Sequence, residues 1–264
     1  MPTPLEQFIK FSTDASGLER TFRLFQAITQ VLIFVSPARA LLFSLLSFLS
    51  SSPDHLSKLQ PLSITTLSTL RARFAIGRRY FRVFRFLDSF NAAWKGFAVG
   101  PRGWGEWLDV GAKGFNGMYL LLETITFPDA LGVEGFGIWE VEVNKVLVVE
   151  AQRFWLFALV CGIGAGWARV VKLRGMGKGE KTGEGEKEEV RRKRAEEERK
   201  RREMEWKVLR RMIADALDIA VPGAVVGWAP ASPGTVGLLM LVSTWLTGLE
   251  VWERCGRELD AVRG

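Results

Sequence analysis

Residues 219 to 249 contain no charged side chain, and neither do residues 154 to 168, in a chain of 264 residues that otherwise carries 36 Lys or Arg and 29 Asp or Glu. Such runs cannot face water around their whole circumference, so either protein or lipid must cover them. The run 154–168 is bounded by Arg153 and Arg169, with Trp155 and Trp167 near its ends, where aromatic rings favour a membrane boundary. Fifteen residues of helix reach only about 22 Å against a hydrocarbon core of about 30 Å. The candidate span therefore extends over 154–171, taking in Val170 and Val171 with arginines snorkelling, and the alternative is a buried hairpin helix. Gly162 and Gly166 within it suit close helix packing through a small-xxx-small face. Its "GIGAG" matches a dinucleotide fingerprint only superficially, because the third glycine falls one place early.

The run after Ile219 is punctuated by Pro222, Pro230 and Pro233. It reads as a short apolar helix, a turn, and a second helix from about Thr235 to Trp252, a C-terminal apolar hairpin within 208–264 with 235–252 as a candidate span. "VLIFVSPARALLFSLLSFL", 31 to 49, is long enough to tempt the same reading. However, Arg39 at a bilayer centre costs about 3 kcal/mol and Pro37 breaks a helical turn, so a helix end, a bend and a second buried helix are expected. Upstream, Leu5, Phe8, Ile9, Leu18, Phe22, Phe25, Ile28 and Leu32 recur at helical steps around Gly17.

Other segments organise rather than anchor. "SSSPDHLSKLQP" reads as a polar loop. Residues 96–117 are dense in glycine, which resists regular structure, so a flexible connection is expected with Trp104 and Trp107 as interfacial anchors. "MYLLLETITF" resumes as apolar helix or strand at the start of a 118–171 region and stops at Pro128. Within 172–207, a glycine-rich tether leads to a helix of interleaved Glu and Lys or Arg with i,i+4 pairs such as Glu196 with Lys200 and Glu198 with Arg202. Glutamates among its basic residues would repel phosphates, so it is a poor nucleic-acid ligand, and "GKGEKTGEGEK" lacks the glycine a phosphate loop needs before Lys181 and Thr182.

The chemistry-bearing residue types are sparse. His55 is the single histidine and Cys161 and Cys255 the two cysteines, so no metal cluster at ligand spacing and no disulfide framework can be written. No paired acid and base or activated nucleophile stands out, which predicts a protein that is not an enzyme and needs no cofactor. The net charge of +7 and ten tryptophans point instead to an anionic membrane surface.

"RARFAIGRRYFRVFRF", 71 to 86, combines six arginines with aromatic residues, and it begins the most informative stretch of the N-terminal region 1–95. On a helical wheel carried to Trp94, Arg71, Arg78, Arg82, Arg85 and Ser89 share one stripe. Ile76, Tyr80, Val83, Phe84, Leu87, Phe90 and Trp94 occupy the opposite arc, Phe74, Phe81 and Phe86 its margins, and Arg79 flanks it. The pattern predicts a basic amphipathic helix over 71–94 that lies in a leaflet to a depth of about 5–10 Å. Arg71, Arg78, Arg79, Arg82 and Arg85 would meet lipid headgroups, while Phe81, Phe84, Leu87, Phe90 and Trp94 would form the wedge. Burying a Phe or Leu contributes roughly 1.5–3 kcal/mol and each arginine near an anionic leaflet about 1 kcal/mol, so apolar burial holds the helix down and charge selects the lipid. The alternative is that the apolar arc packs inside the protein with the arginines solvated.

Three blocks together resemble the peroxisomal biogenesis factor 11 family. "FIKFSTDASGLERTFRLFQAITQVL" is similar to its N-terminal helix through Gly17, Glu19, Arg20, Arg23 and Gln26; "RRYFRVFRFLD" to its basic amphipathic helix through Arg79, Arg82, Phe86, Leu87 and Asp88; and "SPGTVGLLMLVSTWLTGLEVW" to its final apolar segment. "MYLLLETITF" matches a middle segment loosely, with Glu123 where Asp is usual. The resemblance implies an all-α, membrane-associated helical bundle in the peroxisomal membrane that promotes membrane elongation, and with it peroxisome division and number, without covalent chemistry. It also implies a second copy of the chain and the organelle fission machinery as partners, while the charge and tryptophan content favour an anionic phospholipid surface over nucleic acid. A membrane pore or metabolite channel is the rival activity that the family brings. Such a pore needs polar residues lining a bundle, and the runs 154–168 and 234–249 offer few.

Overall fold

The computed structural model describes residues 2–49, 63–176 and 188–263, and among these every regular element is helical. In chain order they are α1 (Pro4–Thr13), α2 (Ala15–Phe34), α3 (Ser36–Leu49), α4 (Ile64–Tyr80), α5 (Arg85–Ala98), α6 (Trp104–Ile125), α7 (Phe127–Ala130), α8 (Val141–Met176), α9 (Glu188–Asp218), α10 (Ala220–Val226) and α11 (Pro233–Arg263). The polar loop expected just after α3 and the glycine-rich tether before α9 lie outside the described residues.

Local chemistry sets the first boundaries. Thr3 caps α1 in a reciprocal box with Glu6, and Asp14 caps α2 by accepting from the amides of Ser16 and Gly17. The break in the N-terminal pattern therefore falls at Asp14, and Gly17 sits inside the first turn of α2. Pro37 lies at the start of α3, where its missing N–H costs nothing, and α3 leaves α2 at 108°. The expectation of a bend holds. A second buried helix does not follow, because α3, which packs mainly on α2, leaves Leu41, Leu45 and Phe48 exposed.

The glycine-rich stretch 96–117 is not a flexible connection. Only Val99–Gly103 breaks the helix, and α6 runs straight through Gly105, Gly111, Gly114 and Gly117. Its glycines serve close approach: a Cβ on Gly117 would lie 2.6 Å from the Phe90 ring of α5. Packing, which the local propensity of glycine does not report, outweighs its entropic cost in a helix. Similarly, α9 seats Met212 on Gly166 of α8, where a Cβ would stand 2.5 Å from its side chain.

The long helices pack in the order α4, α2, α11, α9, α8, α6, α5, and the turn 81–84 joins α5 back to α4. The elements thus enclose a common centre. Tyr119, Leu120 and Ala151 form its apolar core with Phe86, Leu122, Phe154 and Trp155, the Tyr119 and Trp155 rings stacking at 5.3 Å. α1 lies against the far end of α11 through three ion pairs, Glu6 with Arg263 (2.5 Å), Lys10 with Glu258 (3.3 Å) and Asp14 with Arg254 (2.7 Å). Their spacing along both helices makes an antiparallel staircase.

α8 and α11 are long and apolar enough to cross a membrane, and α2 with the start of α3 meets the same composition as a bent pair. α8 at 36 residues extends well beyond the charge-free run and reaches about 54 Å, so length no longer limits it. Phe157, Val160, Trp167 and Val171 on α8 and Leu238, Val242 and Trp245 on α11 are exposed. α11 likewise continues past Trp252 to Arg263, and the charged helix α9 continues past Lys207 to Asp218.

Candidate membrane-binding site

The stretch 71–94 is two helices, not one. α4 ends at Tyr80, the backbone turns through residues 81–84, and α5 begins after Phe84, whose φ of 67° is the single positive value among the described residues other than glycine. Backbone hydrogen bonds from Arg82 and Val83 to Arg79 O, and from Arg85 to Arg82 O, close the turn. A wheel that advances 100° per residue cannot register such a kink, and Phe, unlike Gly or Asn, gives no hint of a left-handed backbone.

The kink has a cause in the interior. Arg78, at the end of α4, donates from Nε to Glu19 Oε1 (3.1 Å) and from Nη1 to Gln26 Oε1 (2.8 Å) on α2. Arg82, in the turn, donates from Nη1 to Tyr119 Oη (2.8 Å) and from Nη2 to Glu123 Oε1 (2.6 Å) on α6, and its guanidinium lies 5.8 Å from the Tyr119 ring centre. Charge-assisted bonds to two different helices outweigh the few backbone bonds the turn gives up. Glu123 also lies 3.7 Å from Arg79. Next door, Arg23 of α2 donates to Asp218 of α9 (2.5 Å) and to Ser243 of α11 (3.4 Å), while Ser243 donates to Asp218. Burial pushes the Arg78 guanidinium below its ordinary value, and neighbouring Arg82 adds to the effect beyond what Glu19 restores. Burial pushes the Tyr119 phenol up.

These placements sort the ten residues that the wheel singled out. Arg78 and Arg82 are enclosed and paired, so they do not face headgroups; the stripe they share points at acids on other helices rather than at water. Arg71 and Arg79 are half-buried at the edge of the same interior. Arg85 is exposed. Phe81 packs on Phe22 (5.6 Å between centroids) and Phe90 seats on Gly117, so neither is free to enter a leaflet. Phe84, Leu87 and Trp94 are open, at 67%, 57% and 66% exposure.

α5 is therefore the amphipathic element. Part of its apolar arc, Phe86 and Phe90, docks on α6, and Phe84, Leu87 and Trp94 are bare. The bare strip continues beyond the helix: Trp94 lies 5.9 Å from Phe97, which lies 6.1 Å from Trp107, with Val99 and Trp104 exposed beside them. Arg85, Lys95 and Arg102 are exposed among these residues.

Glu19, Arg23, Glu123, Asp215 and Asp218 escaped assignment as a group. Their signal was available: each is a charged residue within or beside an apolar helical face, and Glu19, Arg23 and Gln30 recur at nearly whole turns of α2.

No curated protein and no solved structure matches this chain. The sequence model of the family described as Peroxisomal biogenesis factor 11 (PEX11) matches residues 5–252, from the first turn of α1 to Trp252 in α11. With an all-helical bundle carrying two span-length apolar helices and a half-bare amphipathic helix at its rim, the chain belongs to the peroxisomal biogenesis factor 11 family.

Proposed function

We propose that this family member elongates the peroxisomal membrane, and so promotes division and number of the organelle, by lodging the bare strip of α5 and its continuation to Trp107 in one leaflet. The observation that carries the reading is the continuity of that strip: Phe84, Leu87, Trp94, Phe97, Val99, Trp104 and Trp107 are each at least half exposed. Burying Leu87, Trp94 and Phe97 in lipid contributes roughly 1.5–3 kcal/mol each, against about 1 kcal/mol from each of Arg85, Lys95 and Arg102 near an anionic leaflet. Insertion is thus driven by the apolar side chains, and the basic ones bias it towards anionic phospholipid. α8 and α11 anchor the bundle, so the strip acts at a fixed depth, and a wedge in one leaflet favours curvature. Self-association and a handover of curved membrane to fission machinery belong to the same reading, and covalent catalysis does not.

The test uses the full chain reconstituted at matched density into phosphatidylcholine liposomes with and without anionic lipid. Electron microscopy should show tubules that are favoured by anionic lipid and lost in Leu87→Asp/Trp94→Asp. Round vesicles with the parent chain, or equal tubulation by the variant, would refute the wedge.

One observation favours a pore as a second reading. A cavity of about 500 Å³ inside the ring is lined by polar groups including Gln26, Gln30, Arg79 and Gln152, which are drawn from helices other than the two charge-free runs, apart from Gln152 near the start of one. Conductance across planar bilayers that disappears in Gln30→Leu/Gln152→Leu would support it, and silence from the parent chain would exclude it.

A further inference from the structure

The interior cavity carries more positive charge than its own carboxylates can balance. Arg23, Arg71, Arg78, Arg79 and Arg82 line it, and the acids that reach these guanidiniums are Glu19, Glu123 and Asp218. Five cations thus meet three anions. Arg71 makes no ion pair or hydrogen bond among the described residues. Uncompensated charge held at low dielectric is costly unless something else supplies the counter-charge. The guanidinium of Arg78 is held down by burial and by Arg82, as expected where cations crowd without enough counter-charge. The opposite wall is apolar, formed by Val148, Val221, Val225, Val236 and Met240.

We infer that this cavity is a binding site for a phosphomonoester group carried on a molecule with an apolar portion. A phosphomonoester brings close to two negative charges and three strong acceptor oxygens, which matches the excess of two guanidiniums. Guanidinium forks are suited to phosphate oxygens, and the cavity, about 500 Å³, holds a headgroup together with the first part of a chain. The same chemistry is presented by a phosphatidic acid headgroup and by a soluble organic phosphate. The inference concerns the inside of the bundle, so it stands or falls independently of the wedge at α5.

The experiment measures calorimetric titration and thermal unfolding of the full chain in neutral detergent. The probes are inorganic phosphate, dioctanoyl phosphatidic acid and, as a control, dioctanoyl phosphatidylcholine. Phosphate and phosphatidic acid should each bind saturably at one site and raise the unfolding temperature. Arg71→Ala and Arg79→Gln should each weaken binding about tenfold, without lowering the unfolding temperature of the ligand-free chain. Arg199→Ala/Arg202→Ala on the outer face of α9 should bind as the parent does. Tighter binding of phosphatidic acid than of phosphate identifies a lipid source, and equal binding a soluble one; either result supports the site. Absence of saturable binding, undiminished affinity in Arg71→Ala, or phosphatidylcholine binding as tightly as phosphatidic acid would overturn it.

Discussion

Glu123 holds the elbow between α4 and α5, and its truncation tests whether that elbow is set by the interior. Its Oε1 accepts from Arg82 at 2.6 Å and from Tyr119 Oη at 3.2 Å, and Arg79 lies at 3.7 Å, while the residue itself is 9% exposed. Glu123→Ala leaves Arg82, enclosed in the same interior, with Tyr119 as its remaining acceptor. Removing one partner of a buried pair costs about 3–5 kcal/mol, and the lower end applies because Tyr119 is retained. A loss of about 3 kcal/mol lowers the folded-to-unfolded ratio roughly a hundredfold. Denaturant unfolding in neutral detergent reads this as a shift in midpoint at constant slope. Replacing both partners, Arg82→Met with Glu123→Leu, removes the stranded charge and should recover most of the loss. A single variant that loses less than about 1 kcal/mol, or a double variant as unstable as the worse single one, would refute the reasoning.

Phe84→Gly should hold or raise the unfolding midpoint, since a left-handed backbone costs an L residue about 1–2 kcal/mol and the 67% exposed ring contributes little packing; the same variant should deform vesicles less. A fall in stability of several kcal/mol would make that ring a packing residue instead. Gly117→Val drives a Cβ to within 2.6 Å of the Phe90 ring and should cost about 1–3 kcal/mol, with Phe90→Ala partly restoring it; no rescue would mean that α5 does not dock there. Burial raises the Asp215 carboxyl above its ordinary 3.8, with Arg211 opposing, so the native state keeps that proton to higher pH than the unfolded chain does. Its contribution is present at low pH and is lost as pH rises from 3.8 through the raised value, so the stability of Asp215→Asn relative to the parent should increase over that window. A relative stability that falls across the window would contradict the assignment.

The helical class and the two apolar helices were legible because charge-free runs and periodicity are properties of the chain itself, and they survive folding. α10, the turn and α11 follow the prolines closely. Residues 71–94 misled for a physical reason: a stripe of arginines looks the same on a wheel whether it meets water or the acids of another helix. What distinguishes the two is Glu19 and Glu123, which stand at distant points of the chain. Leu87 and Trp94 are exposed, whereas Phe81 and Phe90 pack inside, because only the packing of α5 on α6 and of the turn on Phe22 decides which aromatic rings are left over. The glycines of α6 misled in the same way, since a residue poor for an isolated helix is favoured where a ring must lie against the backbone.

The staircase between α1 and α11 fixes a parity. Because Glu6 is fastened to Arg263 and Asp14 to Arg254, the helix that starts at Pro4 and the one that ends at Arg263 meet on the same face of any bilayer that the bundle traverses. Every outward passage between them must then be matched by a return. α8 and α11 cannot be each other's return, because both lie antiparallel to α9, through Arg174 with Glu205 and Arg210 with Glu253, and so run in the same direction; the returns fall to the other helices.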